Sequence, residues 1–153
     1  MTAAPSFAVL AERVRTDIGF QLFTVLSWVP ERRVLRRLWS SNPTAFTVGG
    51  EKTTAVDPTW LSGRVELQHP FLGVDAAAVR AVFHDHALIE SLGCGAVLNT
   101  TVVDDRQTLA VLSVLDAAGA YDTADLARLV ALTPRFLPAT RHAMIAIPSG
   151  ETL

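Results

Sequence analysis

The sequence predicts an α+β domain in which an antiparallel sheet carries helices on both faces. Three observations predict it. Phe20 to Trp28 is a run rich in Phe, Leu, Val, Thr and Trp, with apolar residues on both alternating faces. That is the pattern of a strand covered on two sides. Short apolar segments in the middle of the chain follow aspartates at Asp57, Asp75 and Asp85, which read as helix N-caps. Ala96 to Val103 and Gln107 to Leu115 are two apolar runs joined by the polar tip Asp104-Asp105-Arg106, which makes them a hairpin.

Composition narrows the class. A chain of 153 residues is about one domain, and its single core needs no disulfide or metal staple. Half the residues are hydrophobic and 18% are charged, which marks a globular chain rather than a disordered one. A net charge of -2 leaves no basic excess to hold phosphates, so nucleic acid is not an expected partner. One cysteine makes no internal disulfide and fits a reducing cytoplasm. The N-terminal stretch lacks a basic start, and Glu12, Arg13 and Arg15 interrupt its apolar run, so it does not read as a signal peptide. No apolar run approaches the ~18 residues of a membrane span, and no membrane association is expected.

The elements follow in order. Ser6 is the N-cap of a first helix whose apolar stripe is Phe7, Leu10, Ala11, Val14 and Ile18, and Gly19 ends it. Phe20 to Trp28 follows as a strand, with Phe20, Leu22 and Leu26 on one face and Phe23 and Val25 on the other. Pro30-Glu31 turns the chain, and Arg33 to Ser40 returns as a hairpin partner with Leu35 and Trp39 on one face. Arg36 and Arg37 fall on opposite faces, so at least one is expected in solvent or near an edge. Thr44 to Val56 reads as a loop. Asp57-Pro58 opens a helix ending near Gln68. Phe71-Leu72 is a short extended piece. Asp75 caps Ala76 to Val82, and Asp85 caps His86 to Leu92, which Gly93 closes as a left-handed C-cap. After the hairpin, Asp122 caps a last helix with a second acid at Asp125 and a stripe of Leu126, Leu129, Val130, Leu132 and Phe136. Pro134 kinks or ends it. The core spans about residues 7–137, and 141–153 reads as a tail or an extra strand.

This order resembles a GAF domain over nearly the whole chain. The residues that carry the likeness are FTVLSWV with RVLRRLWSS, the run LGCGAVLNTTVV, the return strand TLAVLSVLD and the closing AYDTADLARL. Tyr121-Asp122 stands where that family usually has Phe followed by an acid. Thr108-Leu109-Ala110 departs from a strand in which glycine is common. The resemblance implies a sheet of five or six antiparallel strands, with terminal helices on one face and short lid helices on the other. It implies a pocket between sheet and lid, and dimerisation through the terminal helices. It points to a small-molecule-binding receptor or regulatory module in the cytoplasm: a homodimer, able to signal through a protein partner. The stand-alone members also include free methionine sulfoxide reductases. A lone thiol has no internal partner to resolve such a cycle.

Cys94 lies between Gly93 and Gly95 at the mouth of the hairpin, where backbone approaches a ligand closely. In the alternative reading the chain is a small cofactor-free enzyme, with Cys94 as nucleophile or acid and His84 or His86 as base. Against it, Cys94 follows a helix C-terminus, whose partial negative charge disfavours a thiolate. The competing reading of Cys94 is a small buried thiol. His84 and His86, with His69 or Cys94, offer three conceivable metal ligands but lack a fixed ligand spacing, so no metal is expected. Nothing selects haem or a bilin, and no cofactor is expected.

The ligand-binding candidates are Trp39, Ser41, Asn42, Trp60, Phe83, Cys94 and Asn99. The aromatics, Phe71 among them, line the pocket or simply fill it. Ser41 and Asn42, with Ser40, offer short donors or merely end a strand. Asn99 is an amide in an apolar strand and must be paired, with a ligand or with backbone. Lys52 and Arg64 pair with an anionic ligand or lie in solvent.

Overall fold

The computed structural model describes residues 4–52 and 56–146, and the side chains of all of these except 51, 52 and 146. Its centre is β1 (Leu22–Val29), every residue of which is buried, as the two apolar faces of that run require. β1 pairs antiparallel with β2 (Val34–Ser40) on one side and with β6 (Gln107–Asp116) on the other. The sheet is completed by β3 (Glu51–Lys52) beside β2, and by β5 (Ala96–Asp104) and β4 (Phe71–Gly73) beyond β6. The order of the six strands is β3-β2-β1-β6-β5-β4. The Thr44 to Val56 segment, read as a loop, thus contributes the two-residue β3; residues 53–55 lie outside the described residues. Asp105 and Arg106 form the hairpin tip with φ of 49° and 67°, the left-handed pair that a tight β-hairpin turn demands.

One face of the sheet carries the terminal helices. Ser6 Oγ accepts from the Val9 N–H and starts α1 (Phe7–Asp17), which buries Phe7, Leu10, Ala11 and Val14. At the other end, Asp122 and Asp125 form a reciprocal capping box that opens α5 (Thr123–Leu132). Leu129 and Leu132 are buried, but Val130, expected in the same stripe, is 45% exposed. Pro134 ends α5 in a single 3₁₀ turn, Thr133–Phe136, which turns Phe136 onto Phe7 and Phe23. The chain then restarts as α6 (Leu137–Ala146), with Pro138 in the first turn, where a missing N–H costs nothing. Residues 141–146 are therefore helix, not a tail or a strand, and residues 147–153 lie outside the described ones.

The other face carries α2 (Pro58–Val65), α3 (Ala76–Val82) and α4 (His86–Ser91). Asp57 accepts from the Trp60 N–H and Asp75 from the Ala78 N–H, so both are N-caps. Asp85 stands at the N-cap position of α4 but makes no side-chain cap bond, because its backbone, at φ -85° and ψ 22°, is not the extended one a cap needs. Gly93 closes α4 at φ +81°. Among the described residues no helix is long and apolar enough to cross a membrane.

Two placements differ from simple alternation. Val25 faces Trp39 while Leu26 faces Arg37, which leaves Leu38 as the extra residue of a bulge. The bulge breaks the two-residue period. Leu35 therefore lies under the lid helices, while Leu38 and Trp39 both pack on the terminal-helix side. Phe20 precedes the strand and packs on Phe23 in the terminal-helix core, opposite the face of Leu22 and Leu26.

Candidate ligand site under the lid

A row of buried polar residues crosses the lid face of the sheet. Ser40 is opposite Thr24, Thr24 opposite Ser113 and Ser113 opposite Asn99, so four polar residues line up across β2, β1, β6 and β5. All four are buried. Buried polar groups need partners, and some of these have them. Asn99 accepts from Trp60 Nε1 at 3.2 Å and donates to the Leu112 carbonyl at 3.2 Å. Ser40 Oγ accepts from the Asn42 N–H.

Arg37 lies beside this row, opposite Leu26, and is only 7% exposed. The segment after β2 straps over it. The Arg37 N–H donates to the Gly50 carbonyl, and the Gly49 N–H to the Arg37 carbonyl, each at 2.8 Å. Nη1 donates to the Thr47 carbonyl at 3.0 Å, and the guanidinium lies 5.2 Å from the centre of the Phe46 ring. The buried Nε meets no hydrogen-bond acceptor among the described residues. Burial lowers the guanidinium's pKa, and the Asp85 carboxylate partly offsets this through space. Arg37, Thr24 and Ser113 border a void of about 10 Å³ roofed by Phe46, Phe83 and Ile89. A void of that size takes at most one water. Around this void the described residues of sheet and lid pack closely, with Trp60 and Phe83 edge-to-face at 5.2 Å.

Cys94 belongs to the same lid-side core and is 3% exposed. Burial, helped by Asp116, pushes its thiol up to about 11. No hydrogen bond joins it to His84, which is exposed, or to His86, which is half-buried with Nδ1 4.0 Å from Glu90. The nucleophile–base arrangement is therefore not assembled. The close approach that Gly95 permits is to the loop after β6: a Cβ there would meet Ala118 at 3.1 Å. No group of three or more His, Cys, Asp or Glu among the described residues is placed to hold a metal ion.

The remaining candidates separate by face. Trp60, Phe83 and Asn99 come together under the lid. Trp39 does not, because the bulge turns it onto Phe7 and Phe23 on the opposite face. Ser41 Oγ accepts from the Phe23 N–H, and Asn42 Oδ1 from the Ala45 N–H, so both finish the strand end and its turn. Arg64 is buried rather than solvated. It donates to the Trp60 carbonyl in the first turn of α2 and to the His69 carbonyl beyond its end, and lies over Phe71, which leaves it engaged by its own chain. The Lys52 side chain lies outside the described ones. Sequence reading missed Arg37, Thr24 and Ser113 as site residues. Part of their signal was present: Thr24 and Ser113 are hydroxyls whose strand neighbours are all apolar.

No family model matches the sequence, and no curated protein matches it. Solved structures do match. The GAF domain of a phosphoenolpyruvate-protein phosphotransferase from Coxiella burnetii aligns with a TM-score of 0.71 at 16% identity, covering 94% of this chain and 88% of its own. The fold is that of a GAF domain. The GAF domain of a two-component sensor histidine kinase from Bacillus halodurans aligns at 0.69 and 13% identity, covering 90% of this chain and 92% of its own. A far-red-absorbing dark state with bound biliverdin aligns at 0.63 and 16%, covering 86% and 85%. The GAF fold accounts for the two-sided sheet, the lid and the closing helices of this chain.

Proposed function

We propose that this GAF domain is a sensory or regulatory module that takes a small molecule between sheet and lid. The observation that carries the reading is the buried row Ser40, Thr24, Ser113 and Asn99, with Arg37 beside it, flanked by the apolar residues Leu22, Leu26, Phe46, Phe83 and Leu115. An interface that served packing alone would be cheaper if apolar, since each buried polar group must be desolvated. The packed form is the unliganded state. Ligand entry lifts α2 to α4 from the sheet, and occupancy changes their order and the surfaces they present to a protein partner. The domain acts in the cytoplasm as a homodimer joined through α1 and α6, where Val9 and Ile145 are exposed.

Hydrogen exchange, run with fractionated metabolite extract, tests this. A binding fraction slows exchange in residues 57–92 more than in α1 and α5. A chain whose lid exchange no fraction alters is an inert packed core, and the proposal fails. Conversion of the bound compound would instead favour the enzyme reading. Sedimentation of a monomer at working concentration would remove the homodimer from the proposal.

A further inference from the structure

We infer that the ligand of this site is a small monocarboxylate with an apolar tail, its carboxylate held by Arg37 and the hydroxyls of Thr24 and Ser113. The inference rests on the reading of the lid interface as a ligand site. It starts from the guanidinium. Arg37 is more than nine-tenths buried, and its Nε is aimed into the packed interface with no acceptor among the described residues. A buried donor without an acceptor is costly, and a charged one more so. The strap of Thr47 to Gly50 engages Nη1 and the backbone but leaves the Nε edge open. That edge of an arginine offers parallel N–H groups to a carboxylate.

Charge balance selects the anion class. Arg37 is the guanidinium that borders the void, and the Asp85 carboxylate acts on it through space. A monoanion matches the single positive charge of that guanidinium. A phosphate dianion would leave a surplus negative charge against Leu22, Phe46, Phe83 and Leu115, where desolvation is severe. Those apolar walls suit a hydrocarbon tail.

The test uses acid–amide pairs on the full chain: isobutyrate with isobutyramide, and benzoate with benzamide, with inorganic phosphate as a third arm. Binding is read from the Arg37 Nε–H cross-peak in a heteronuclear NMR titration. Both acids are expected to saturate and move that peak, with each amide about tenfold weaker or more, since it lacks the charge-assisted bond. Arg37→Gln is expected to abolish the acid–amide difference, and Asp85→Asn to tighten the acids. Because the wild-type comparison stands alone, a variant that fails to fold leaves the test intact. Equal binding of acid and amide, acid binding that leaves the Arg37 peak still, tighter binding of phosphate, or no acid binding at all overturns the inference. If an extract fraction still protects residues 57–92 in any of those cases, the lid site survives and only the ligand class falls.

Discussion

Asn99→Leu is the sharpest probe of how the lid is tied to the sheet. The residue is 0% exposed, so no water replaces what the amide provides. Its Oδ1 holds the Trp60 indole N–H, and its Nδ2 reaches the Leu112 carbonyl. Leucine has the same branched heavy-atom skeleton with bulkier ends, so no cavity opens. The indole N–H, on a buried Trp60, is then stranded, at about 1–3 kcal/mol. Loss of the bond to Leu112 adds about 1 kcal/mol, and the apolar replacement returns part of it. The net expectation is a destabilisation of about 2–3 kcal/mol, read as a melting point lower by about 4–12 °C at this chain length. Urea unfolding supplies the free energies. In Trp60→Phe no indole N–H remains to strand, so the cost of Asn99→Leu on that background falls by about 1–2 kcal/mol, which is the coupling of the pair. A cost that is unchanged on the Trp60→Phe background would refute the claim that this bond ties α2 to β5.

Two further outcomes follow from groups near the lid and the closing helix. Cys94 is raised from its ordinary 9.0 to about 11, so the folded state holds its proton more tightly than the unfolded one. Its stabilisation is complete below pH 9 and is lost as pH rises to 11, by roughly 2–3 kcal/mol at about 1.4 per pH unit. Urea titrations of wild type and Cys94→Ala should therefore converge by that amount across the window, and iodoacetamide should label the native thiol slowly at pH 7.5; parallel curves or rapid labelling would contradict the burial argument. Asp122→Ala should cost about 1 kcal/mol by removing a formed capping box, whereas Asp85→Ala, which removes no cap bond, should cost no helix-capping energy. Thermal unfolding of the two variants separates them.

Features governed by a few consecutive residues were legible in the chain. Asp57, Asp75, Asp122 and Ser6 cap where their patterns place them, and Gly93 closes α4 with the expected left-handed backbone. The hairpin tip at Asp104-Asp105-Arg106 and the two-faced burial of β1 were legible for the same reason. Trp39 was misplaced because one extra residue, Leu38, shifts alternation by a step, and nothing in VLRRLWS marks the bulge. Arg64 was read as a surface charge or ligand contact because one of its partners, the His69 carbonyl, comes within reach only once the chain turns at Gln68.

The amino-acid order by itself determined five of the six strands, most of the helix starts and the assignment of helices to both faces of a sheet. Each of these depends on side-chain period or on hydrogen bonds reaching no more than four residues along the chain. Only the tertiary structure decided that Arg37 is buried beside Thr24 and Ser113, that Asn99 is held by Trp60, and that lid and sheet pack closely around the void. Those relations join residues far apart in the chain across β2, β1, β6 and β5, and their register is set by the packing of two cores rather than by any local pattern.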